Sequence, residues 1–321
     1  PALLGMSVVY AVLHATLGIL IPVPNIVVII VAYKLIKAKR AKGYVFIINL
    51  AVADLLVGLM CVVETLDDLY DGDFDKNLTF CLLRICFTIS PCVGSVLTLL
   101  LISLDRWLAV TRPLHYHKTV TNRTVSAALA ALWGLSFSVG NLPLIAPQLQ
   151  QTNYTGVCGL LYSTKNQYLY IICFVVFMPV FLTLICAQIL LGRTAHLQRQ
   201  RIRQVSVGPA PPRSADLRHF KALRTVLVVI VCFSVSWGPY YMAGLVQASC
   251  ARCHLKALLR DELFLLGELN SLLNPLIYAF CSNDIKSRVC QAGWWKKISR
   301  ARALQLRHNK KTIGQSPKYV L

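Results

Sequence analysis

The sequence predicts an all-α protein, a bundle of seven membrane-spanning helices, and three observations lead to that class. Of 321 residues, 56% are hydrophobic and 14% charged, with a mean hydropathy of +0.59. A soluble domain carries about 25% charged residues, so lipid is the fitting solvent for this chain. A helix needs about 20 apolar residues to cross the hydrocarbon with every backbone group paired inside it, and seven runs are long enough. Charge, finally, is one-sided. Basic residues crowd after the first run (Lys34 to Lys42), between the fifth and sixth (Arg193 to Arg224) and beyond the seventh (Lys286 to Lys318), whereas Asp67, Asp68, Asp71, Asp73 and Asp75 follow the second.

The runs lie at roughly 3–33, 44–66, 81–111, 124–146, 167–192, 222–249 and 257–281. Pro22 and Pro24 should kink the first, which membrane helices tolerate when neighbours satisfy the freed carbonyls. The stretch from Tyr168 to Leu191 holds no formally charged residue, and none of the runs alternates apolar and polar residues as barrel strands do. The first run lacks a basic start and is too long for a signal-peptide core; the opening proline leaves the true N-terminus open. Val205–Ser214, with Pro209, Pro211 and Pro212, reads as a flexible part of the loop between spans five and six.

Basic loops stay in the cytoplasm. The chain is therefore expected at the plasma membrane as a multi-pass protein, N-terminus outside and C-terminus inside. A net charge of +20 would suggest nucleic acid in a soluble protein. Here it sits in loops, where it sets topology and meets anionic membrane lipids, so no nucleic-acid partner is expected. Residues 1–292 form the membrane domain and 293–321 a basic cytoplasmic tail.

Most of the twelve cysteines lie within spans, as small apolar residues. Cys81 and Cys158 both face the oxidising side, where disulfides persist. Cys250 and Cys253 lie between spans six and seven; with no second ligand pair in view, a small loop disulfide fits them better than metal or redox chemistry. Asn77 and Asn153 head glycosylation sequons on the outer side, and Asn122 heads one on the inner side that should stay bare.

Charges inside the membrane are expensive and need a reason. Asp54 sits in the middle of span two. Asp105-Arg106-Trp107 ends span three, Phe233, Trp237 and Pro239 share span six, and Asn270 and Ser271 precede Asn274-Pro275-Leu276-Ile277-Tyr278 in span seven. This combination resembles the rhodopsin-like (class A) G-protein-coupled receptors, and the resemblance covers nearly the whole chain. It implies a ligand-operated switch that engages a heterotrimeric G protein and arrestin. It also implies a Cys81–Cys158 disulfide and a short amphipathic helix at Asp284 to Ala292, with Trp294 and Trp295 beside Lys296 and Lys297 at the interface. No cofactor is expected beyond an allosteric sodium ion, held by Asp54, Ser95, Asn270, Ser271 and Asn274 with Asn25 nearby. The alternative is a protonated Asp54 that only hydrogen-bonds between helices.

In the same comparison Asp105 cages Arg106, Pro239 makes a hinge that Trp237 couples to the ligand, and Pro179, Val96 and Phe233 form a packing triad. The chain departs from the family pattern at several points. Trp107 replaces a tyrosine, Ser236 a cysteine, and Ala187 the tyrosine that receives Arg106 in the active state. Near the base of span six Arg218 and His219 stand where an acidic residue is usual. A weak latch and appreciable basal signalling are expected.

The expected ligand-binding residues are Glu64, Arg84, Thr88, Ile89, Cys92, Phe174, Trp237, Tyr240, Tyr241, Phe264 and Glu268. Glu64 and Arg84 are placed to form an ion pair, and Glu268 to partner Arg84 or a hydroxyl network. Glu268 stands where opsins carry the retinal lysine and Thr88 where amine receptors carry an aspartate, which argues against both ligands. An arginine at the rim of an apolar interior suits a lipid with a polar head. A narrower similarity to receptors for fatty ethanolamides runs through Phe220–Val226, Cys253-His254-Leu255, Asn270–Tyr278 and Cys81–Arg84. It implies an acylethanolamide or lysophospholipid agonist, Gs coupling and raised cAMP. A transporter would show charges along a pore or repeated halves, and an intramembrane enzyme a His-Glu-x-x-His or Gly-x-Ser-x-Gly motif; neither pattern is present. A receptor-like binder that no longer signals remains the alternative, kept open by Ala187. The seven histidines, among them His14 and His219, are scattered.

Overall fold

The computed structural model describes residues 2–39, 42–70, 73–205, 214–250, 252–282 and 285–288. Seven long helical segments form the bundle. Span one is Ala2–Leu20 followed by Pro22–Lys39; the others are Tyr44–Leu69, Leu78–Thr111, Asn122–Gly140, Asn166–Val205 with a π-helical stretch, Ser214–Ser249, and Lys256–Cys281 with a second. Six are long and apolar enough to cross a membrane by length and composition alone. The fourth, Asn122–Gly140, is shorter than spans two and three and carries Asn122 and Arg123 in its first turn. It ends six residues short of the expected 124–146, because Asn141 turns the chain into the short helix Leu142–Ile145.

Each irregularity has a local cause. Span one breaks at Ile21, where Pro22 begins the second segment. Asn25 Nδ2 donates to the Ile21 carbonyl at 2.9 Å, a side-chain bond at the break itself. Gly58 on span two lets the helices close here, since a Cβ there would stand 3.0 Å from both Ile21 and Pro22. Span two runs three residues beyond expectation, to Leu69, and so carries Asp67 and Asp68 on its last turn. Span three starts at Asn77, whose side chain caps the helix by accepting from Thr79 N at 2.9 Å.

Buried polar clamps tie the spans together. Asn49 donates to Thr98 Oγ1 at 2.7 Å and accepts from Trp133 Nε1 at 2.8 Å, joining spans two, three and four. Tyr168 OH reaches the carbonyls of Val139 and Gly140 at 3.1 Å. At Gly140 span four lies so near span three that a Cβ would meet Ser90 N at 3.0 Å and Cys86 O at 3.1 Å. Many large apolar side chains stay on the outer faces, Ile19 and Val235 among them. Lipid makes that exposure favourable.

A disulfide joins Cys81 at the start of span three to Cys158 in the loop after span four, and a second joins Cys250 to Cys253. The first marks one end of the bundle, the disulfide end; Asp105 and Arg106 mark the other, the switch end. After span seven residues 285–288 are helical and Ile285 is fully buried. The rest of the expected amphipathic helix, Cys290, Trp294 and Trp295, and the proline-rich part of Val205–Ser214 lie outside the described residues.

Candidate functional site

A cavity of about 410 Å³ opens at the disulfide end between spans one, two, three, six and seven and the loop that carries Cys158. Its polar rim centres on Arg84. That guanidinium pairs with Asp75 Oδ2 at 2.5 Å and lies 3.5 Å from Asp67 Oδ2. Tyr154 OH donates to the Asp75 carbonyl and anchors the loop to this corner. Burial pushes the Asp75 carboxyl up to about 7 against the pull of Arg84, with Asp67 and Glu64 adding to the rise. Ile85, Ile89, Leu160 and Phe264 give the lining an apolar part, beside His14, Glu64 and Thr88.

Of the expected pocket residues, Glu64, Arg84, Thr88, Ile89, Tyr240 and Phe264 line the cavity. Trp237, Tyr241 and Cys92 are buried away from that lining. Trp237 meets Tyr240 and Phe264 edge-on, at 5.8 and 6.1 Å between ring centroids.

Four expectations are corrected. Phe174 is 57% exposed on the outer face of span five. The π-helical turn at Ile171–Phe177 shifts the helical phase, and Phe177 points inward instead, 4.2 Å from Tyr241 and 5.9 Å from Phe233 between centroids. Pro179 is exposed as well, and it is Phe177 that stacks on Phe233. Glu64 does not pair with Arg84, because the loop 73–77 folds back and delivers Asp75. Glu268 faces His14 at 3.9 Å rather than Arg84.

At mid-depth Asn274 Nδ2 donates to both oxygens of Asp54, at 3.0 and 3.3 Å. Ser95, Asn270 and Ser271 are buried too, and Asn25 Nδ2 donates to the Ser271 carbonyl at 3.0 Å. The Oδ1 atoms of Asn270 and Asn274 have no hydrogen-bond partner among the described residues. A buried carboxylate with unmatched carbonyl oxygens beside it is a donor set for a hard cation.

At the switch end Asp105 is fully used. One oxygen pairs with Arg106, and the other accepts from Tyr116 OH at 2.6 Å. Burial and that bond push the Tyr116 phenol up, so it keeps the proton it donates. Gly43 lies against the pair; a Cβ there would meet Arg106 and stand 2.8 Å from Asp105 Oδ2. Trp107 is half-buried beside it, and Pro275 and Tyr278 are buried on span seven. Beside Ala187, Gln188 Nε2 donates to Ser103 Oγ at 3.1 Å, so a polar side chain of span five does reach span three.

Reasoning from sequence missed His14, Asp67, Asp75, Tyr116, Phe177 and Gln188. The run of aspartates after span two was the one signal that could have drawn attention to Asp67 and Asp75.

Comparison with known proteins agrees with this geometry. Residues 24–278 match the family described as 7 transmembrane receptor (rhodopsin family). The chain is 36% identical to the human glucose-dependent insulinotropic receptor, over 86% of this chain and 84% of that one. It is 34% identical to the rat receptor of that name, over 88% and 61%. Similarity to the dog adenosine receptor A2a is 24%, over 97% and 76%.

Proposed function

The chain belongs to the rhodopsin family of seven-transmembrane receptors, and from that premise we propose that it is a receptor for a lipid with a polar head, an acylethanolamide or lysophospholipid, coupling to Gs and raising cAMP. Family membership makes it a multi-pass plasma-membrane receptor for a small ligand, with a G protein as partner, and not an enzyme. The observation that carries the finer reading is Arg84, mostly buried in a cavity that Ile85, Ile89, Leu160 and Phe264 also line. A guanidinium there offers charge-assisted bonds to a carbonyl or phosphate, and the apolar side chains take an acyl chain. Similarity to receptors named glucose-dependent insulinotropic supports the same reading.

Ligand entering beside Tyr240 and Phe264 presses on Trp237, which meets both rings. A Cβ on Gly267 of span seven would fall 2.7 Å from the Trp237 ring, so movement of the indole is transmitted to span seven. Pro239 lies two residues on, inside the same helix, and removes one backbone bond where span six hinges. At the switch end Arg106 leaves Asp105 to meet the G protein, with arrestin as a second partner. The disulfide end faces the cell exterior, the C-terminus lies inside, and Asn153 and Asn77, both exposed, carry glycan.

Asp54, Ser95, Asn270, Ser271 and Asn274 would hold a sodium ion, which fits the unpartnered amide oxygens described above. Bound there, sodium neutralises the Asp54 charge. The residues themselves tie span two to span seven through the Asn274–Asp54 bonds.

The test is cAMP in cells expressing the chain, with and without oleoylethanolamide, beside Arg106→Ala at matched surface level. A rise that needs Arg106 is the expected result. No cAMP rise with any lipid of a broad panel, with the protein at the surface, would refute the lipid or the Gs assignment, and a panel of other G-protein readouts would say which.

A further inference from the structure

Three side chains from separate spans meet beside the cavity. His14 from span one, Glu64 from span two and Glu268 from span seven each present one donor atom, and the three atoms lie within 4.8 Å of one another. His14 Nε2 stands 3.7 Å from Glu64 Oε2 and 3.9 Å from Glu268 Oε2. Those separations are too long for hydrogen bonds. Among the described residues, Glu64 Oε2 and both oxygens of Glu268 are buried without a hydrogen-bond partner, and the Glu268 side chain has no exposure at all. Two buried carboxyl groups so close cannot both be ionised unless something positive stands between them; without it, one keeps its proton.

The other nitrogen of His14 settles which way the ring presents its lone pair. Nδ1 lies 2.8 Å from Asp68 Oδ2. A carboxylate that accepts from one imidazole nitrogen and leaves the other facing inward is the arrangement that orients histidine toward a metal. The surrounding charge agrees. Five carboxylates (Glu64, Asp67, Asp68, Asp75 and Asp261) line the cavity against three basic side chains, Lys76, Arg84 and Arg260. Arg84 already pairs with Asp75 and Asp67, though its remaining N–H groups can still meet a ligand, and Arg260 pairs with Asp261 at 2.5 and 3.1 Å.

We propose that His14, Glu64 and Glu268 form a divalent transition-metal site, suited to Zn²⁺, at the disulfide end of the receptor. Zinc takes nitrogen and carboxylate oxygen at about 2.0–2.2 Å, which sets tetrahedral donors roughly 3.4 Å apart. His14 Nε2 stands 3.7 and 3.9 Å from the two carboxylate oxygens, and all three donors lie within 4.8 Å, so a modest contraction completes the site. Calcium and magnesium prefer six or more oxygens and are poorly served by a single imidazole and two carboxylates. Three protein ligands leave a fourth position, the pattern of an open zinc site. His14 and Glu64 both line the cavity, so water or a polar ligand atom reaches that position from it. A metal here would also clamp spans one, two and seven together. The site stands whether or not the receptor's agonist is a lipid.

The experiment uses the full chain in nanodiscs, with ZnCl₂ as the probe. Equilibrium binding should show one Zn²⁺ per receptor, unaffected by millimolar Mg²⁺. Zinc-edge X-ray absorption should show nitrogen and oxygen in the shell and no sulfur. His14→Ala and Glu268→Gln should each weaken binding at least tenfold, and Asp68→Asn by about tenfold. Absence of stoichiometric binding to folded wild-type receptor, sulfur in the shell, or displacement by Mg²⁺ would overturn the proposal. So would undiminished binding in both ligand variants. If the variants fail to reach the folded state, the wild-type stoichiometry and spectrum decide alone.

Discussion

The two ends of the bundle treat buried charge in opposite ways. At the switch end the Asp105 carboxylate has both oxygens engaged, by Arg106 and by Tyr116, and Gly43 closes over the pair. At the disulfide end carboxylates outnumber their partners, and among the described residues three buried carboxylate oxygens have none. An unmatched buried polar group costs free energy that something arriving recovers. A matched pair resists change until a competing interaction breaks it. The disulfide end is therefore built to receive and the switch end to hold.

Substitutions at each end test this contrast. The largest expected effect is at Arg106. Arg106→Ala should abolish agonist-driven cAMP while ligand binding persists, because the guanidinium that leaves Asp105 to meet the G protein is gone; retained signalling would remove Arg106 from the switch. Next is the disulfide that frames the receiving end. Cys81→Ala should lower unfolding free energy by about 2–5 kcal/mol and be read as a large fall in melting temperature, with switch-end variants unaffected. Arg84→Ala should raise the agonist concentration for half-maximal cAMP by roughly 30-fold, equivalent to about 2 kcal/mol. An unchanged dose–response curve at equal surface expression would move recognition away from the rim.

Gly43→Ala carries a smaller effect of opposite sense. The added methyl displaces the Arg106 side chain, so ligand-free cAMP should rise about threefold, or roughly 0.7 kcal/mol. Unaltered basal output would mean that the latch accommodates the methyl.

The last test is the pH dependence of Asp75. Its carboxyl, raised from 3.8 to about 7, binds its proton more tightly folded than unfolded. That contribution to stability is complete below about pH 4 and lost as pH rises through about 7. Melting temperature should therefore fall slightly from pH 5 to pH 8 in wild type, less so in Asp75→Asn. Identical profiles would show that Asp75 does not titrate in this window.

The spans were legible in the sequence because partition into lipid sums over consecutive residues. The motif residues Asp54, Asp105, Arg106 and Asn274 were legible as a set because intramembrane polarity stands out against apolar surroundings. Pairings were not. Arg84 had Glu64 as its evident partner, yet the loop 73–77 brought Asp75 to it. Phe174 lost its inward place to Phe177 through a π-helical turn that composition does not announce. His14, one histidine among seven in an apolar run, became informative only beside Glu64, Asp68 and Glu268.

The sequence by itself determined the solvent of this protein, the number of its crossings and the residues able to switch, since each depends on local composition and spacing. Only the tertiary structure decided which charges meet. Such contacts are settled within an ångström or two by the break at Ile21, the close approach at Gly58 and the phase shift at Ile171–Phe177, and electrostatic energy at that range changes steeply with distance and burial.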